Sequence, residues 1–362
     1  MIFPNRTLRP LALLVGLVLL SACIERPLAR PFATGLNQPR GMAFDSAGNL
    51  FVAETGGRAA SAAGETPADT NHSGRVVRFS PAGQATPILE GLPYTYYGEI
   101  GDSGAADVAL LAGVPYVLTG EGYDDRLARA VLRPLPDRSP QVVVSLLHFA
   151  IGLSTVQEQQ IGTVMSNPYG MVAAPDNSAL YVSDAASGRI LHVTLDGAIR
   201  VFAELPMTPL AGMAFGPDGR LYVAMFSLRP HLPGSGAVWA ADPSGEPPSG
   251  KLEVAVQGLT MPVDVGFAAS GAMYVLEFGQ GSQPDRLYPP QSGRLLRIAE
   301  DGAPAVVLDR LNYPTALAFS PGGDLYIAVG GAFTAPGEGA ILRLACRTLE
   351  PPDACPPAAG PS

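Results

Sequence analysis

Apolar residues occur along most of the chain in short runs that Gly, Pro, Asp and Ser separate. The clearest run reads Pro-x-Gly, an apolar residue and Ala-Phe, followed by a tight turn and Leu-Tyr-Val. The stretch from Pro39 to Phe44, followed by Leu50 to Val52, is one example. Short apolar runs bounded by turn residues predict β-strands, because helices show longer stretches with a period of about 3.6 residues. The pattern therefore predicts an all-β fold.

This pair of strands recurs six times, and two further apolar segments follow most copies. The copies begin at Pro39, Asp107, Pro168, Gly212, Pro262 and Pro314. A third segment, such as Gly188 to Leu191, and a fourth, such as Val201 to Leu205, complete the unit. Repeated units of four short strands are typical of propeller blades. The sequence therefore predicts a six-bladed β-propeller, in which the Tyr and Phe of each repeat lie in the core.

The two ends of the chain predict how the ring closes. The sixth repeat has a third segment, Ile341 to Leu344, and then runs into a Cys- and Pro-rich tail. The missing fourth strand lies at the other end, where Pro31 to Leu36 has the same form. We expect this N-terminal strand to complete the last blade, because closure removes the open sheet edges of a linear array.

Composition and charge narrow the class of partner. The 362 residues include 42 Gly and 36 Pro, and 47% of them are hydrophobic, which suits many strands and turns around a large core. The net charge is −9, and Lys and Arg are scattered along the chain. The absence of a basic cluster argues against nucleic acid as a partner.

The first 22 residues form a predicted lipoprotein signal peptide. Arg6 and Arg9 precede an apolar run, Leu11 to Leu20, that is too short to span a bilayer. The sequence Leu-Ser-Ala-Cys that ends at Cys23 resembles the lipobox of bacterial lipoproteins, which implies cleavage before Cys23 and acylation of this residue. Ordinary secretion with an unmodified cysteine is the alternative.

Four regions follow from this organisation: the signal peptide 1–22, a linker 23–29, the propeller 30–345 and a Pro-rich tail 346–362. Ile24, rather than Asp, follows the cysteine. We therefore expect a membrane-anchored lipoprotein on the periplasmic face of the outer membrane or on the cell surface. Cys346 and Cys355 lie close together in the tail, and in an oxidising compartment they predict a disulfide.

The predicted loops are unevenly distributed between the two faces of the ring. In each four-stranded blade, the turns between strands one and two and between strands three and four lie on one face and are short. The longer connections, such as 55–73, 93–106 and 149–167, lie on the opposite face, which we call the long-loop face; a short helix is expected at 153–160. Scaffolds commonly carry function on such loops, so this face is the predicted binding surface.

Several acids are predicted near the long-loop end of the central channel. Glu54, Asp184 and Glu277 end the second strand of three repeats. Asp107 and Asp264 replace the usual Gly of the first strand in repeats two and five, which stand opposite each other in a six-fold ring. The neighbouring strand-entry positions carry Arg40, Asn167 and Tyr169.

Two interpretations of these acids remain open. Converging carboxylates and an Asn carbonyl suit a hard cation, so Glu54, Asn167, Asp184 and Glu277 form a possible calcium site. Carboxyl groups with separated pKa values would also serve a hydrolase. Alternatively, Glu54, Asp184 and Glu277 cap their turns by binding backbone amides, as repeated turn acids often do.

Several stretches resemble the ScyD/ScyE family of exported propellers. The resemblance rests on the segment 35–44 (GLNQPRGMAF), on Ser166-Asn167-Pro168-Tyr169-Gly170, and on the stretches 221–224 and 274–277. It covers about residues 31–344, and the individual repeats are also similar to NHL and gluconolactonase-type propellers. The family implies a propeller and an exported location, and it implies no established reaction or catalytic residues.

The sequence thus leaves two functional hypotheses. The first is a binding or scaffold module that takes a small molecule, a glycan or a protein at its long-loop face, acts as a monomer and is held on the membrane through Cys23. The second is a calcium-dependent periplasmic hydrolase of the lactonase type with a carboxylate site at the channel mouth. Whether the chain is an enzyme stays open at this level.

Overall fold

The chain folds into six small sheets arranged in a ring. The structure is a computed structural model, and it describes residues 29–58, 70–98, 101–124, 126–154, 165–244, 250–350 and 354–356. Each sheet is an antiparallel meander whose first strand lies innermost. This arrangement is a six-bladed β-propeller, as the repeat predicts.

The strands follow the repeat closely. The described chain starts with β1 (Ala29–Leu36). Blade 1 contains β2 (Pro39–Phe44), β3 (Leu50–Glu54), β4 (Thr70–Phe79), β5 (Ala85–Tyr96) and the short β6 (Asp102–Ser103). Blade 2 contains β7 (Ala105–Leu111), β8 (Val114–Thr119), β9 (Ala130–Pro134) and β10 (Pro140–Ser145). Blade 3 contains β11 (Pro168–Ala173), β12 (Ala179–Asp184), β13 (Arg189–Thr194) and β14 (Ile199–Glu204).

The second half of the ring repeats this order. Blade 4 contains β15 (Leu210–Phe215), β16 (Leu221–Met225), β17 (Gly236–Ala241) and β18 (Glu253–Leu259). Blade 5 contains β19 (Pro262–Phe267), β20 (Met273–Glu277), β21 (Gly293–Ile298) and β22 (Pro304–Leu311). Blade 6 contains β23 (Ala316–Phe319), β24 (Leu325–Val329), β25 (Gly339–Leu344) and, as its outer strand, β1.

The N-terminal strand closes the ring, as predicted. β1 pairs antiparallel with β25, from Ala29 opposite Leu344 to Leu36 opposite Gly339. The ring of Phe32 lies against Tyr326 of blade 6, at 5.0 Å between centroids. Closure between the two ends of the chain leaves no blade with three strands, so the outer edge of β25 is covered.

Aromatic pairs join successive blades. In four of the six junctions, the Phe that ends the inner strand of one blade meets the Tyr of the second strand in the preceding blade. The pairs are Phe44–Tyr326, Phe215–Tyr181, Phe267–Tyr222 and Phe319–Tyr274, with ring centroids 4.9, 5.6, 4.9 and 5.5 Å apart. All four have edge-to-face geometry, which is favoured for aromatic rings. The repeated Tyr and Phe are therefore blade-packing residues, as the sequence predicts.

A helix lies between blades 2 and 3, earlier in the chain than predicted. Helix α1 spans Leu146–Leu153, and the Ser145 hydroxyl caps it by accepting from the backbone N–H of His148 at 3.2 Å. The predicted helix at 153–160 falls almost entirely outside the described residues, which resume at 165. No described helix is long and apolar enough to cross a membrane.

The C-terminal segment lies on the short-turn face. Cys346 and Cys355 form the predicted disulfide, with their Cα atoms 5.8 Å apart, beside helix α2 (Cys346–Leu349). A side chain on Gly323, in the short turn of blade 6, would meet Cys346 Sγ at 3.1 Å. Glu350 is buried and accepts from the Tyr274 hydroxyl at 2.6 Å. The described part of the tail is thus fixed beside the closing blade, away from the long-loop face.

Candidate functional site

A cavity of about 590 Å³ occupies the centre of the ring. All six inner strands line it, from Arg40 on β2 round to Phe319 on β23. The remaining lining residues come from the long-loop face, and include Tyr97, Glu121, Asn167, Phe226, Phe278, Tyr288 and Phe333. Cavities of this size hold small organic ligands in other proteins.

Asp107 and Asp264 lie in this cavity and join neighbouring inner strands. Asp107 accepts from its neighbour Val108 N at 2.7 Å and from Met171 N of blade 3 at 2.7 Å. Asp264 accepts from Val265 N at 2.9 Å and from Leu317 N of blade 6 at 2.8 Å. The innermost strand of a blade has backbone N–H groups with no strand beside them, and each of these carboxyl groups accepts from two inner-strand N–H groups, one on its own strand and one on the next blade.

Glycine in the preceding blade makes room for each of the two acids. A Cβ atom on Gly41 of blade 1 would lie 1.7 Å from Asp107 Oδ1, and one on Gly212 of blade 4 would lie 2.1 Å from Asp264 Oδ1. The two halves of the ring therefore repeat one arrangement, with a glycine in blades 1 and 4 and an acid in blades 2 and 5. The sequence shows the substitution of Gly by Asp, and the structure shows why its neighbour must remain Gly.

The position of the two acids alters their titration. Burial raises the pKa of Asp264 to about 7, against the lowering effect of its two backbone hydrogen bonds. Burial also raises the pKa of Asp107 well above its ordinary value, and the charge of Asp264 adds to this effect. Asp107 is half-buried by accessible area because it borders the cavity, but protein surrounds the cavity and keeps its environment poor in water.

Arg40 and Tyr169 lie on the same side of the cavity. Arg40 Nη2 donates to the backbone oxygen of Asp102 at 2.9 Å, and its buried Nε has no hydrogen-bond partner among the described residues. Burial raises the pKa of the Tyr169 hydroxyl to about 12, although the Arg40 charge opposes this shift. The Asp102 carboxylate accepts a short hydrogen bond from the Gln38 side chain. Tyr169 is therefore a neutral hydroxyl beside a cation.

Two of the predicted channel acids instead hold the ends of their own blades. Glu54 accepts from Asn37 N at 2.7 Å and from Arg75 Nε at 3.0 Å. Glu277 repeats this arrangement in blade 5, with Thr260 N at 2.6 Å and Arg294 Nε at 2.8 Å. Burial raises the pKa of Glu277, and the hydrogen bonds from Thr260 and Arg294 act against that shift.

The third acid, Asp184, caps a turn. It accepts from the backbone N–H groups of Asn167, Ala186 and Ser187 at 2.9, 3.0 and 3.1 Å. None of Glu54, Asp184 and Glu277 lines the cavity. These contacts favour the interpretation in which the three acids bind local backbone amides over the one in which they converge on the channel mouth, because buried amides and arginines at each blade end engage their oxygens.

Five of the eight candidate residues do line the cavity: Arg40, Asp107, Asn167, Tyr169 and Asp264. The four residues of the possible calcium site are divided, because only Asn167 is among them. Among the described residues, no group of three His, Cys, Asp or Glu side chains is arranged to hold a metal ion. The cavity therefore differs in composition from the calcium site that the sequence suggested.

An aromatic group that no repeat position predicts also lines the cavity. Phe226, Phe278, Tyr288 and Phe333 come from the long loops of blades 4, 5 and 6. Tyr288 stacks on Phe333 with centroids 5.2 Å apart, and Phe278 meets Tyr288 at 5.7 Å. One signal was available, since Phe226 and Phe278 each directly follow the second strand of their blade. Asp102 and Glu121 were also missed, because neither occupies a repeat position.

Comparisons with known proteins support the fold. No family model and no curated protein matches the sequence. Among solved structures, a gluconolactonase from Xanthomonas campestris is 15% identical, with 88% of this chain and 89% of that chain covered and a TM-score of 0.56. The calcium-binding protein regucalcin from Agrobacterium tumefaciens is 14% identical, with 87% and 92% covered and a TM-score of 0.55.

A third similar structure belongs to a protein from Thermus thermophilus that is named as an oxidoreductase of the glucose dehydrogenase type. It is 18% identical, with 87% of this chain and 98% of that chain covered and a TM-score of 0.58. The three names describe different activities. At such identities the likeness defines a fold, so the protein is placed among six-bladed β-propellers and its activity has to be argued from its own residues.

Proposed function

We propose that this protein is an exported binding module that takes a small molecule into its central cavity from the long-loop face. The supporting observation is the cavity itself, whose wall combines a partly buried arginine and a tyrosine hydroxyl with several aromatic rings. A few polar groups in an otherwise apolar concave site are typical of small-molecule binding sites. The start of β1 and the disulfide lie on the other face, so they do not obstruct entry.

The proposal includes a location at a bacterial membrane. Acylation of Cys23 in the lipobox-like sequence would hold the module on a membrane, because each acyl CH₂ buried in lipid contributes about 0.8 kcal/mol. The resemblance to ScyD/ScyE proteins supports an exported propeller of this kind. It adds no reaction, which suits a protein that binds rather than converts.

A panel of small molecules tests the binding proposal. We expect members of the panel to raise the melting temperature of the mature protein, since a ligand of the folded state stabilises it by mass action. Asn167→Trp places a large ring at the cavity wall and retains the backbone N–H that Asp184 accepts. This variant should lose the ligand-induced shift.

The matched control is Leu195→Trp on the short-turn face, where Leu195 is 49% exposed. It should respond as the wild type does. Equal shifts in both variants, or no shift with any compound, would contradict the proposal.

A hydrolase acting in the same cavity is the second candidate. The observation in its favour is the pair of buried acids, because burial holds the pKa of Asp264 at about 7, where a carboxyl group can act as a general acid. On this hypothesis, Asp264→Asn abolishes turnover of an ester or lactone while the ligand still binds. Glu54→Gln should affect stability alone, with or without calcium. Turnover that survives Asp264→Asn would exclude the hypothesis.

A further inference from the structure

The cavity has two chemically different walls. Blades 1 to 3 contribute the polar side, with Arg40, Asn167, Tyr169 and Glu121. Blades 4 to 6 contribute most of the aromatic rings, Phe226, Phe278, Tyr288 and Phe333, together with the acid Asp264. A ligand that fills about 590 Å³ must touch both walls, so it needs a polar end and an apolar end.

Arg40 is the group on the polar wall that the protein leaves incompletely bonded. Its Nη2 is engaged by a backbone carbonyl, and its buried Nε has no partner among the described residues. Arg40 also forms no ion pair with a described carboxylate, in contrast to Arg75 and Arg294 at the blade ends. Buried donors normally have partners, and guanidinium groups bind carboxylates through paired N–H groups.

The acids near Arg40 are occupied. The Asp102 carboxylate accepts from Gln38, Asp107 and Asp264 each bind two backbone amides, and Glu121 lies 3.9 Å from Arg129. Burial raises the pKa of Asp264 to about 7 and that of Asp107 well above its ordinary value, so these two acids carry less negative charge near neutral pH than exposed carboxylates do. Arg40 interacts electrostatically with Asp102 and hydrogen-bonds the Tyr169 hydroxyl, but it forms no ion pair with a described carboxylate, so an anionic group of a ligand would be its first ion-pair partner among the described residues.

The aromatic rings that line the cavity indicate that the other end of the ligand is apolar and flat. Phe226, Phe278 and Tyr288 contact one another, with centroids 5.9, 5.7 and 6.5 Å apart, and Tyr288 stacks on Phe333. Aromatic rings bind other flat rings through stacked and edge-to-face contacts in addition to burial of apolar area. A polyhydroxylated molecule would lose water at this wall without gaining hydrogen bonds.

We propose that the cavity binds a small aromatic carboxylate, with the carboxylate on Arg40 and the Tyr169 hydroxyl and the ring against Phe278 and Tyr288. This proposal rests on the proposed binding function and specifies its ligand class. The proposal excludes sugar acids as the ligand class. Their anionic group would fit Arg40, but their hydroxyl groups would face aromatic rings.

Isothermal titration calorimetry with three probes tests this ligand class. The probes are 2-naphthoate, its neutral analogue 2-naphthamide, and gluconate as an aliphatic polyhydroxy acid. We expect 2-naphthoate to bind at least about tenfold more tightly than either of the others, since a charge-assisted hydrogen bond in a buried site contributes a factor of this order.

Two variants test separately whether Arg40 binds the carboxylate and whether Tyr288 binds the ring. Arg40→Met should weaken 2-naphthoate about tenfold or more and leave 2-naphthamide unchanged, because it removes the charge at similar side-chain length. Tyr288→Leu should weaken both aromatic probes by a similar factor. Arg78→Met, an exposed arginine of the same blade, is the matched control and should bind as the wild type does. Melting temperatures of all variants establish that they fold.

The outcomes separate this inference from the general binding proposal. If 2-naphthamide or gluconate binds as tightly as 2-naphthoate, or if Arg40→Met weakens the acid and the amide equally, the ligand class is wrong while a binding cavity remains. If none of the three probes binds, the ligand class is again wrong, and the larger panel with Asn167→Trp decides whether the cavity binds anything.

Discussion

Carboxyl groups in this protein differ in what surrounds them. Glu54 and Glu277 each face an arginine and a backbone amide, so their negative charge is compensated. Asp107 and Asp264 face backbone amides alone, inside a cavity. The first arrangement fixes a blade end, and burial raises the pKa of Glu277 there too, against the opposing effect of Arg294. In the second arrangement no arginine opposes burial, and hydrogen bonds from amides replace only part of the lost hydration, so the pKa of Asp264 rises to about 7.

The raised pKa of Asp264 predicts a stability that falls as pH rises. Between the ordinary pKa of 3.8 and about 7, the folded protein binds more protons at this group than the unfolded chain does, so the free energy of unfolding decreases with pH. A shift of this size corresponds to roughly 4 kcal/mol when fully developed above pH 7. Asp264→Asn does not titrate, so it should lose less stability than the wild type between pH 5 and pH 8.

Urea unfolding at the two pH values measures this difference. Asp107 and Tyr169 also face the cavity, and the charge of Asp264 raises the pKa of both, so the measured difference includes the smaller change that the substitution causes at these two groups. Glu300→Gln, at an exposed position, is the control and should keep the wild-type pH dependence. Identical slopes for the wild type and Asp264→Asn would show that Asp264 does not carry the effect.

At the scale of elements, the sequence repeat predicts the strands and the closure of the ring. It does not predict the structure of the irregular connections between blades. β1 was predicted because Pro31 to Leu36 has the form of a fourth strand. Helix α1 begins at Leu146, directly after β10, where the sequence continues apolar and the repeat predicts strand. The Ser145 cap is local, but the packing of buried Leu146 among side chains of blades 2 and 3 is a tertiary contact that the repeat does not predict.

Removal of the closing strand β1 should destabilise the protein. A chain that starts at Gly35 lacks most of β1, so the outer edge of β25 is exposed and Phe32 no longer packs on Tyr326. Exposed strand edges pair with other chains. We expect this truncated protein to melt at a lower temperature and to form aggregates in size-exclusion chromatography.

The comparison protein for that experiment starts at Ala29 and retains the whole strand. It should remain folded, and its elution position also tests the expectation of a monomer. A truncated chain that melts and elutes as the longer one does would show that β1 is dispensable for closure.

At the scale of the whole molecule, the direction of β1 relates the cavity to the proposed anchor. Ala29 pairs with Leu344 at the short-turn end of blade 6, and it follows Cys23 by six positions. Six extended residues reach at most about 20 Å. An acylated Cys23 would therefore hold the short-turn face towards the membrane and leave the long-loop face, with the cavity mouth, directed away from it.

Energy transfer to a membrane dye tests this orientation. A donor attached at Leu195→Cys, on the short-turn face, should be quenched more by acceptor lipids than one attached at Leu232→Cys, on the long-loop face; the two leucines are 49% and 60% exposed. Cys23→Ser should release the protein from the membrane and abolish both signals. Equal or reversed quenching would contradict the orientation.

The sequence by itself determined the architecture, because a repeated pattern of strands and turns allows few ways to bury its apolar residues. It also identified Asp107 and Asp264 as exceptions to the repeat and paired Cys346 with Cys355. The tertiary structure decided which side chains share a space. It assigned Glu54, Asp184 and Glu277 to local amides, and it brought Arg40 into one cavity with rings from blades 4 to 6. Contacts of this kind depend on the paths of the loops and on distances across the ring. The repeat pattern in the sequence specifies neither.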